Sequence, residues 1–323
     1  MTCAAKRAKR REIDSPERIP SPLFPSPNST IRFVRLESAL EYASLVVVDV
    51  ILRSCIGCCG SFHLSSYSDD SLCGSIRVEE SFQLCVAYGV QDQVDLEPVV
   101  KGTLNVLRAC TVEKVKRVVY ISDIGAVMLN PNWPKDRVKD ETCWSDPEYC
   151  RATGDWYFLS KTEAERVAFE YGKQNELDVV AVLPGYVFGP VLQPTINLSS
   201  LLLANFVKGI YIKVEQGDGD TVPNKYWNIV DARDIANAIL LVYEKHEAEG
   251  RYICMAENIK GIDLVEKLKS LYPDLTYLEN FAECEYPHQL SSEKLQKLGW
   301  TYRPLEETLV DSIENYRQRG LLD

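Results

Sequence analysis

The stretch from Arg117 to Val127, RVVYISDIGAV, decides the fold of this 323-residue chain. Its first five residues form an apolar, β-branched run with the length of a buried strand, and Ser122 and Asp123 follow at once. In a parallel α/β sheet, the carboxyl ends of the strands line the ligand crevice. We therefore expect the Ser122 hydroxyl and the Asp123 carboxylate to lie near a bound ligand.

Two further segments have the composition of strands. They are Ile31–Leu36 and Asp178–Leu183 (DVVAVL), and the second leads into the loop PGYV at residues 184–187. That loop is predicted to lie on the same edge of the sheet as Ser122. Val46–Leu52 stays open, since it sits where a crossover helix is expected but its β-branched residues favour a strand.

Helical patterns of apolar residues lie between and after these strands. One helix begins at Pro98, a second runs from about Trp156 to Tyr171, and a third follows Asp231, whose side chain suits an N-cap. Strands separated by helices of this length predict right-handed βαβ crossovers. The predicted fold class is therefore α/β, with a Rossmann-like, doubly wound parallel sheet.

The ends of the chain differ from this central part. Residues 1–30 are basic and rich in proline and serine, which predicts a disordered tail. Residues 31–190 are predicted to form an incomplete Rossmann-like domain, and 191–323 a substrate lobe, from which 231–244 returns to the Rossmann part. The helices of the lobe are expected on the apolar positions Ile262, Val265 and Leu268, on Leu295 and Leu298 behind Ser291, and on Leu305, Leu309, Ile313 and Tyr316, closed by Gly320.

The sharpest chemical signal is Tyr157, which is followed four residues later by Lys161 on a predicted helix. This spacing places both side chains on one helix face, one turn apart. The Lys161 ammonium favours the phenolate and is expected to lower the pKa of Tyr157 toward the working range, where Tyr157 can pass a proton to a carbonyl oxygen. Such a pair also arises by chance on helix surfaces, but its convergence with two strand-end loops strengthens the functional interpretation.

Composition excludes several classes of partner. A net charge of -11 argues against nucleic acid or an anionic membrane. The sequence has no apolar run long enough to span a bilayer and no signal-peptide pattern, which predicts a cytoplasmic protein. Its 11 cysteines are scattered and are expected to be reduced thiols, with no metal site. The expected partner is a small-molecule substrate, and the oligomeric state is left open, with a monomer plausible.

From Ile31 to Asp323 the chain resembles plant cinnamoyl-CoA reductases and dihydroflavonol reductases, and most of all the cinnamoyl-CoA reductase-like group. The resemblance is nearly continuous from residue 95 onward. It implies a nicotinamide-dependent reductase with a Rossmann domain, a substrate lobe and NADPH as cofactor. The segments that carry it are KGTLNVLRAC (101–110), RVVYISDIGAVMLNPNWP (117–134), ETCWSDPEYC (141–150), DWYFLSKTEAE (155–165), NIVDARDIANA (228–238), EGRYIC (249–254) and SSEKLQKLGW (291–300).

The resemblance implies roles for individual residues. Tyr157 is the expected proton donor, and Lys161 is expected to bind the nicotinamide ribose. Asp123 occupies the position of the family's catalytic serine, directly after Ser122, so both are catalytic candidates. Cofactor contacts are implied for Tyr157 and Lys161, and for Leu64, Ser65, Ser66, Pro184, Gly185, Tyr186, Val187 and Ser199.

The sequence departs from the family at three places. Residues 1–60 do not match the strand, G-x-x-G-x-x-G-type turn and helix that cradle the cofactor pyrophosphate. Position 123 is Asp rather than Ser, and the tyrosine motif reads DWYFLSK rather than the NWYCYGK of lignin-type cinnamoyl-CoA reductases. We therefore expect weak NADPH binding and a substrate that need not be an acyl-CoA.

Three functional hypotheses follow. The first is an NADPH-dependent reductase of a phenylpropanoid-like aldehyde, ketone or acyl-CoA. The second is a truncated or catalytically impaired family member that acts as a binding module, and the N-terminal segment discriminates between these two. The third, an epimerase or dehydratase, keeps Tyr-x-x-x-Lys and differs in the pocket. The first is favoured over the third because the resemblance includes the substrate lobe.

Overall fold

The structure is a computed structural model that describes residues 32–33, 46–48, 96–191, 196–210, 222–283 and 289–322. These residues all belong to one compact unit, Ile31–Asp323. The tail at residues 1–30 lies outside the described residues, so its disorder stays a prediction.

The described residues form ten strands and nine helices. The strands are β1 (Arg32–Phe33), β2 (Val46–Val48), β3 (Arg117–Ile121), β4 (Asp178–Pro184), β5 (Tyr186–Phe188), β6 (Val222–Asn224), β7 (Tyr226–Asp231), β8 (Gly250–Cys254), β9 (Glu257–Lys260) and β10 (Phe281–Glu283). The helices are α1 (Glu97–Val112), α2 (Gly125–Met128), α3 (Pro147–Thr153), α4 (Trp156–Gln174), α5 (Leu198–Phe206), α6 (Ala232–Glu244), α7 (Gly261–Leu271), α8 (Glu293–Lys297) and α9 (Leu305–Gln318).

The main sheet has the strand order β1-β2-β3-β4-β8, and its last three strands are parallel. Ile121 lies opposite Val182, and Val182 lies opposite Tyr252, so the carboxyl ends of these strands meet at one edge. The parallel pairing predicted for residues 117–121 and 178–183 is confirmed. Strand β1 has the same direction as β3 but is separated from it by β2, which is antiparallel to both.

Strand β2 settles part of the open segment Val46–Leu52. Residues 46–48 are strand, as their β-branched side chains favour, and residues 49–52 lie outside the described part of the chain. Its antiparallel direction was not predicted, because side-chain branching favours extended backbone without specifying the direction of pairing.

Helices cover both faces of the main sheet. On one face, Val118 and Tyr120 of β3 pack with α1, α2 and α4. On the other face, Val119, Val180 and Val182 pack with α6 and α8. Each of these fully buried valine side chains contributes about 1.5–3 kcal/mol of hydrophobic free energy. The doubly wound α/β arrangement expected from the sequence is thereby confirmed.

A third core lies outside the main sheet and joins α5, α7 and α9 to the small sheet β5-β7-β9. It contains the apolar face predicted for α9, and Gly320 after that helix has φ +67°, as a helix-closing glycine requires. The boundaries predicted for the substrate lobe stay a prediction. Among the largest side chains of this core are Phe188, Leu203, Ile229, Leu264, Leu268 and Tyr316.

Three details differ from the sequence predictions. Ile262 is 37% exposed, and Leu264 replaces it in the core, because steps of three residues drift off a helix face that repeats every 3.6. Leu298 is the C-cap of α8 and lies outside the helix proper. Residues 250–254, inside the range given to the substrate lobe, form β8 of the main sheet. A five-residue strand does not reveal its distant partner from its own composition.

Candidate active site

The structure brings Tyr157, Lys161 and Asp123 together at the carboxyl edge of the main sheet. Tyr157 lies in the first turn of α4, and its Oη donates a hydrogen bond to Asp123 Oδ2 at 3.0 Å. Lys161 follows one turn later, and its Nζ lies 5.6 Å from the centroid of the Tyr157 ring. The spacing of four places both side chains on the face of α4 that meets the loop after β3.

The Asp123 carboxylate is held in place by its own loop. Gly125 N donates to Asp123 Oδ1 at 2.6 Å, and Ile124 N donates to Pro184 O at 3.1 Å. A Cβ at position 125 would lie 2.7 Å from Phe158 and 2.9 Å from Asp123 Oδ1, so only glycine allows this approach. The loop after β3 is thus fastened to both β4 and the start of α4.

Burial and charge oppose each other at this site. Lys161 is buried, and desolvation lowers the pKa of its ammonium, while the neighbouring Asp123 carboxylate acts to raise it. The pKa of Asp123 is raised by burial, against the lowering effects of Lys161, the Gly125 amide and the Tyr157 hydroxyl. Residue Asp123 as a whole is intermediate in exposure.

Ser122, the other catalytic candidate beside Asp123, belongs to a different network. Its Oγ donates to Glu165 Oε2, and Glu165 is fully buried on α4. The other carboxylate oxygen of Glu165 accepts from Arg251 Nε of β8 at 2.5 Å. A serine hydroxyl has one hydrogen, so this bond leaves none for a substrate oxygen. In this arrangement Ser122 holds the end of β3 to its neighbours.

The Arg251 guanidinium completes this buried network. It donates to Cys143 O at 2.6 Å and to Ala126 O at 3.2 Å, and it lies 3.6 Å from the centroid of the Trp144 ring. Sequence reasoning missed Glu165 and Arg251. A signal was present for Glu165, which lies four residues after Lys161 and so places a charge on the same helix face.

The loop after β4 contacts the neighbouring strands β8 and β7. Gly185 N donates to Cys254 O at 3.2 Å, and a Cβ at Gly185 would lie 2.0 Å from Asn228 O, so the loop packs directly on β7. The ring centroids of Tyr186 and Trp227 are 4.8 Å apart, and Lys225 Nζ donates to Tyr186 Oη at 3.2 Å. Tyr186 thus points toward the aromatic part of the third core.

The remaining predicted cofactor residues are placed as follows. Pro184 joins the site through the bond from Ile124, and Val187 packs against the core shared by the main sheet and α6. Ser199 is the second residue of α5 and is partly exposed, beside the N-cap Asn197. Leu64, Ser65 and Ser66 lie outside the described residues. These cofactor roles stay predictions.

The part of the chain that the structure describes has neither a metal centre nor a membrane-spanning helix. No group of three or more His, Cys, Asp or Glu side chains there is arranged to hold a metal ion. None of the described helices is both long enough and apolar enough to cross a membrane.

Comparison with known proteins identifies the family. The profile of the NAD dependent epimerase/dehydratase family matches residues 84–254. The chain is 34% identical over 296 residues to cinnamoyl-CoA reductase 2 of Medicago truncatula, covering 89% of this chain and 80% of that protein. The chain belongs to the NAD dependent epimerase/dehydratase family, in its cinnamoyl-CoA reductase-like branch. Cinnamoyl-CoA reductase 1 of Oryza sativa subsp. japonica is also 34% identical, over 311 residues, with 92% and 82% covered.

Solved structures of reductases have a similar fold. Vestitone reductase from alfalfa superposes with a TM-score of 0.60 at 26% identity, covering 70% of this chain and 73% of that one. The yeast methylglyoxal/isovaleraldehyde reductase Gre2, solved with NADPH, superposes with a TM-score of 0.58 at 25% identity, covering 72% of this chain and 75% of that one. The predicted family, fold and enzyme class, an NAD(P)-dependent oxidoreductase, are therefore confirmed.

Proposed function

We propose that this chain is an NADPH-dependent carbonyl reductase that acts on a phenylpropanoid-like aldehyde, ketone or acyl-CoA. The observation that carries the proposal is the group of Tyr157, Lys161 and Asp123 at the carboxyl edge of β3 and β4, where nucleotide ligands bind in this class of fold. The names of its relatives support the reductase class over an epimerase or dehydratase. No contact among the described residues favours the alternative of a binding module.

The residues present fit the nicotinamide end of such a cofactor. Tyr157 presents a phenol at the sheet edge, and Lys161 places a buried cation one helix turn behind it. This donor set suits the hydroxyls of a ribose and the oxygen of a carbonyl substrate. The residues expected to hold the phosphates lie outside the described part of the chain. When bound, the reduced nicotinamide supplies a hydride to the carbonyl carbon.

The side chains of this site handle the proton. The Tyr157 Oη–H bond breaks as the proton moves to the substrate oxygen, and the Lys161 ammonium stabilises the negative charge left on the phenol oxygen. Proton donation of this kind accelerates a reaction by about 10²- to 10⁴-fold. Tyr186, which is partly exposed and packs on the buried Trp227, is the aromatic side chain that we expect to contact a phenylpropanoid ring.

The proposal is tested by NADPH consumption with cinnamaldehyde and with cinnamoyl-CoA, at millimolar NADPH. Tyr157→Phe removes the donated proton and keeps the ring, so we expect kcat to fall by about 10²- to 10⁴-fold. The matched control is Tyr149→Phe on α3, where the side chain is exposed and outside the site. Equal turnover by wild type and Tyr157→Phe contradicts the proposed role of Tyr157. Absence of turnover with both substrates contradicts the proposed function.

A further inference from the structure

The two hydroxyls near the end of β3, those of Tyr157 on α4 and of Ser122, both donate to carboxylates. Tyr157 donates its hydrogen to Asp123 Oδ2 at 3.0 Å, and Ser122 donates its own to Glu165. A phenol has one hydrogen, so Tyr157 cannot donate to Asp123 and to a substrate oxygen at the same time. An ionised Asp123 is only an acceptor, and it therefore competes directly with the substrate for this hydrogen.

Protonation of Asp123 reverses this competition. A carboxylic acid carries one O–H donor of its own, so it no longer needs the Tyr157 hydrogen and can donate to the Tyr157 oxygen instead. The hydrogen of Tyr157 is then free to face a carbonyl oxygen. Residue Asp123 as a whole is intermediate in exposure, and the proposal requires that its carboxyl group exchange protons with solvent.

The charges around Asp123 decide when it is protonated. From α4, the Lys161 ammonium and the Tyr157 hydroxyl stabilise the carboxylate, and from its own loop the Gly125 amide does the same. Glu165, on the same face of α4, repels a second negative charge, although its own charge is paired with Arg251. Burial outweighs the stabilising contacts, and the pKa of Asp123 is raised above its ordinary value.

We propose that Asp123 is a catalytic proton-holding group, whose carboxylate retains the Tyr157 hydrogen and whose carboxylic acid form releases that hydrogen to the substrate carbonyl. This inference rests on the proposed function. Reduction of a carbonyl to an alcohol adds one hydride and one proton. The proton leaves Tyr157 Oη for the substrate oxygen, Asp123 returns a proton to Tyr157 across the hydrogen bond, and solvent reprotonates Asp123.

This arrangement predicts a specific pH dependence. Above the pKa of Asp123, the reactive carboxylic acid form falls about tenfold for each pH unit, and kcat/KM for reduction falls with it. Asp123→Asn keeps the shape of the side chain and removes its titration. We therefore expect the rate of this variant to change less than about twofold over the same range.

The first test reads the proton state without activity. Protein labelled with carboxyl-¹³C aspartate is titrated by NMR, and the Asp123 signal is assigned by its absence from Asp123→Asn. We expect a midpoint above the ordinary range of aspartate, about 3.9. Tyr157→Phe removes a hydrogen bond that stabilises the carboxylate, so the midpoint should rise further. The matched control, Asp136→Asn, removes an exposed aspartate of the loop that follows α2 and should leave the Asp123 midpoint unchanged.

The second test measures the pH profile of NADPH oxidation with cinnamaldehyde for wild type, Asp123→Asn and Asp136→Asn. An ordinary Asp123 midpoint, or a wild-type profile identical to that of Asp123→Asn, overturns the inference. A raised midpoint that rises again in Tyr157→Phe, together with no reduction by any variant, supports the proton-holding state and overturns the proposed function instead. If Asp123→Asn does not fold, Asp123→Ser takes its place in both tests.

Discussion

At the scale of single residues, the side chain at position 123 determines the charge beside Tyr157. Asp123 Oδ2 lies 3.0 Å from Tyr157 Oη, the phenol oxygen that is expected to donate a proton. A carboxylate beside a reacting carbonyl repels the negative charge that develops on oxygen, whereas a hydroxyl stabilises it. An ionised Asp123 is therefore expected both to compete for the Tyr157 hydrogen and to slow the reaction at neutral pH.

A hydroxyl in place of the Asp123 carboxylate should raise activity. We expect Asp123→Ser to increase kcat for cinnamaldehyde reduction at neutral pH by about tenfold to a hundredfold, because a donor replaces a repelling charge. The gain should shrink toward low pH, where wild-type Asp123 is already protonated. Steady-state kinetics at two pH values measure both effects. An unchanged or lower rate at neutral pH means that position 123 does not contact the reacting oxygen.

The residues of the site were partly predictable from the sequence. The spacing of Tyr157 and Lys161 placed them on one helix face, and the strand end before Asp123 placed it opposite them, because both inferences rest on local geometry. The partner of Ser122 was not predictable. Glu165 and Arg251 are 86 residues apart in the chain, and only the packed sheet shows that their charges meet.

At the scale of elements, the Glu165–Arg251 pair joins α4 and β8 and reaches the end of β3 through Ser122. Both side chains are buried, at 0% and 6% exposure. Arg251 also donates to the carbonyls of Ala126 and Cys143, which lie in α2 and in the segment before α3. One guanidinium thus fastens the elements that position Tyr157 and Asp123.

Breaking this pair from one side should be costly. Arg251→Met leaves Glu165 buried without its cation, and removal of one partner of a buried pair destabilises proteins by about 3–5 kcal/mol. Denaturant unfolding measures the change. The double variant Glu165→Gln, Arg251→Met should recover part of the loss, since no uncompensated charge remains.

A matched control for this prediction is Arg151→Met. Arg151 pairs with Glu148 at 2.5 Å on the surface of α3, and exposed pairs contribute about 0–1 kcal/mol. If Arg251→Met costs no more than Arg151→Met, then the buried network does not hold these elements together.

At the scale of the whole molecule, the alternation of strands and helices predicted the parallel sheet, its two covered faces and the crevice edge. These features follow from patterns that repeat along the chain. The antiparallel β2 and the placement of β8 beside β4 depend on pairing between distant segments, which no local pattern encodes.

Cofactor affinity is the property that depends on the most distant parts of the molecule. In this fold, the pyrophosphate rests on backbone amides of a glycine turn after the first strand, and a 2′-phosphate rests on basic side chains after the second. The only glycines in the sequence of residues 1–60 are Gly57 and Gly60. A G-x-x-G-x-x-G turn that begins at Gly57 requires a third glycine at position 63, where this chain has His63. Tyr157 and Lys161 supply contacts for the nicotinamide end only, and a net charge of -11 adds no attraction for phosphates.

We therefore expect this chain to bind NADPH with a Kd in the millimolar range. Each missing charge-assisted hydrogen bond weakens binding by about 1.5–3 kcal/mol, and 1.4 kcal/mol is tenfold in Kd, so losing two or three converts a micromolar site to a millimolar one. Calorimetric titration of the purified 323-residue protein measures this directly. Titration with NADH is the control, because without side chains that recognise the 2′-phosphate the two cofactors should bind within about threefold of each other. A micromolar Kd for NADPH, with a clear preference over NADH, contradicts the prediction and means that residues before Leu96 form a phosphate site of another design.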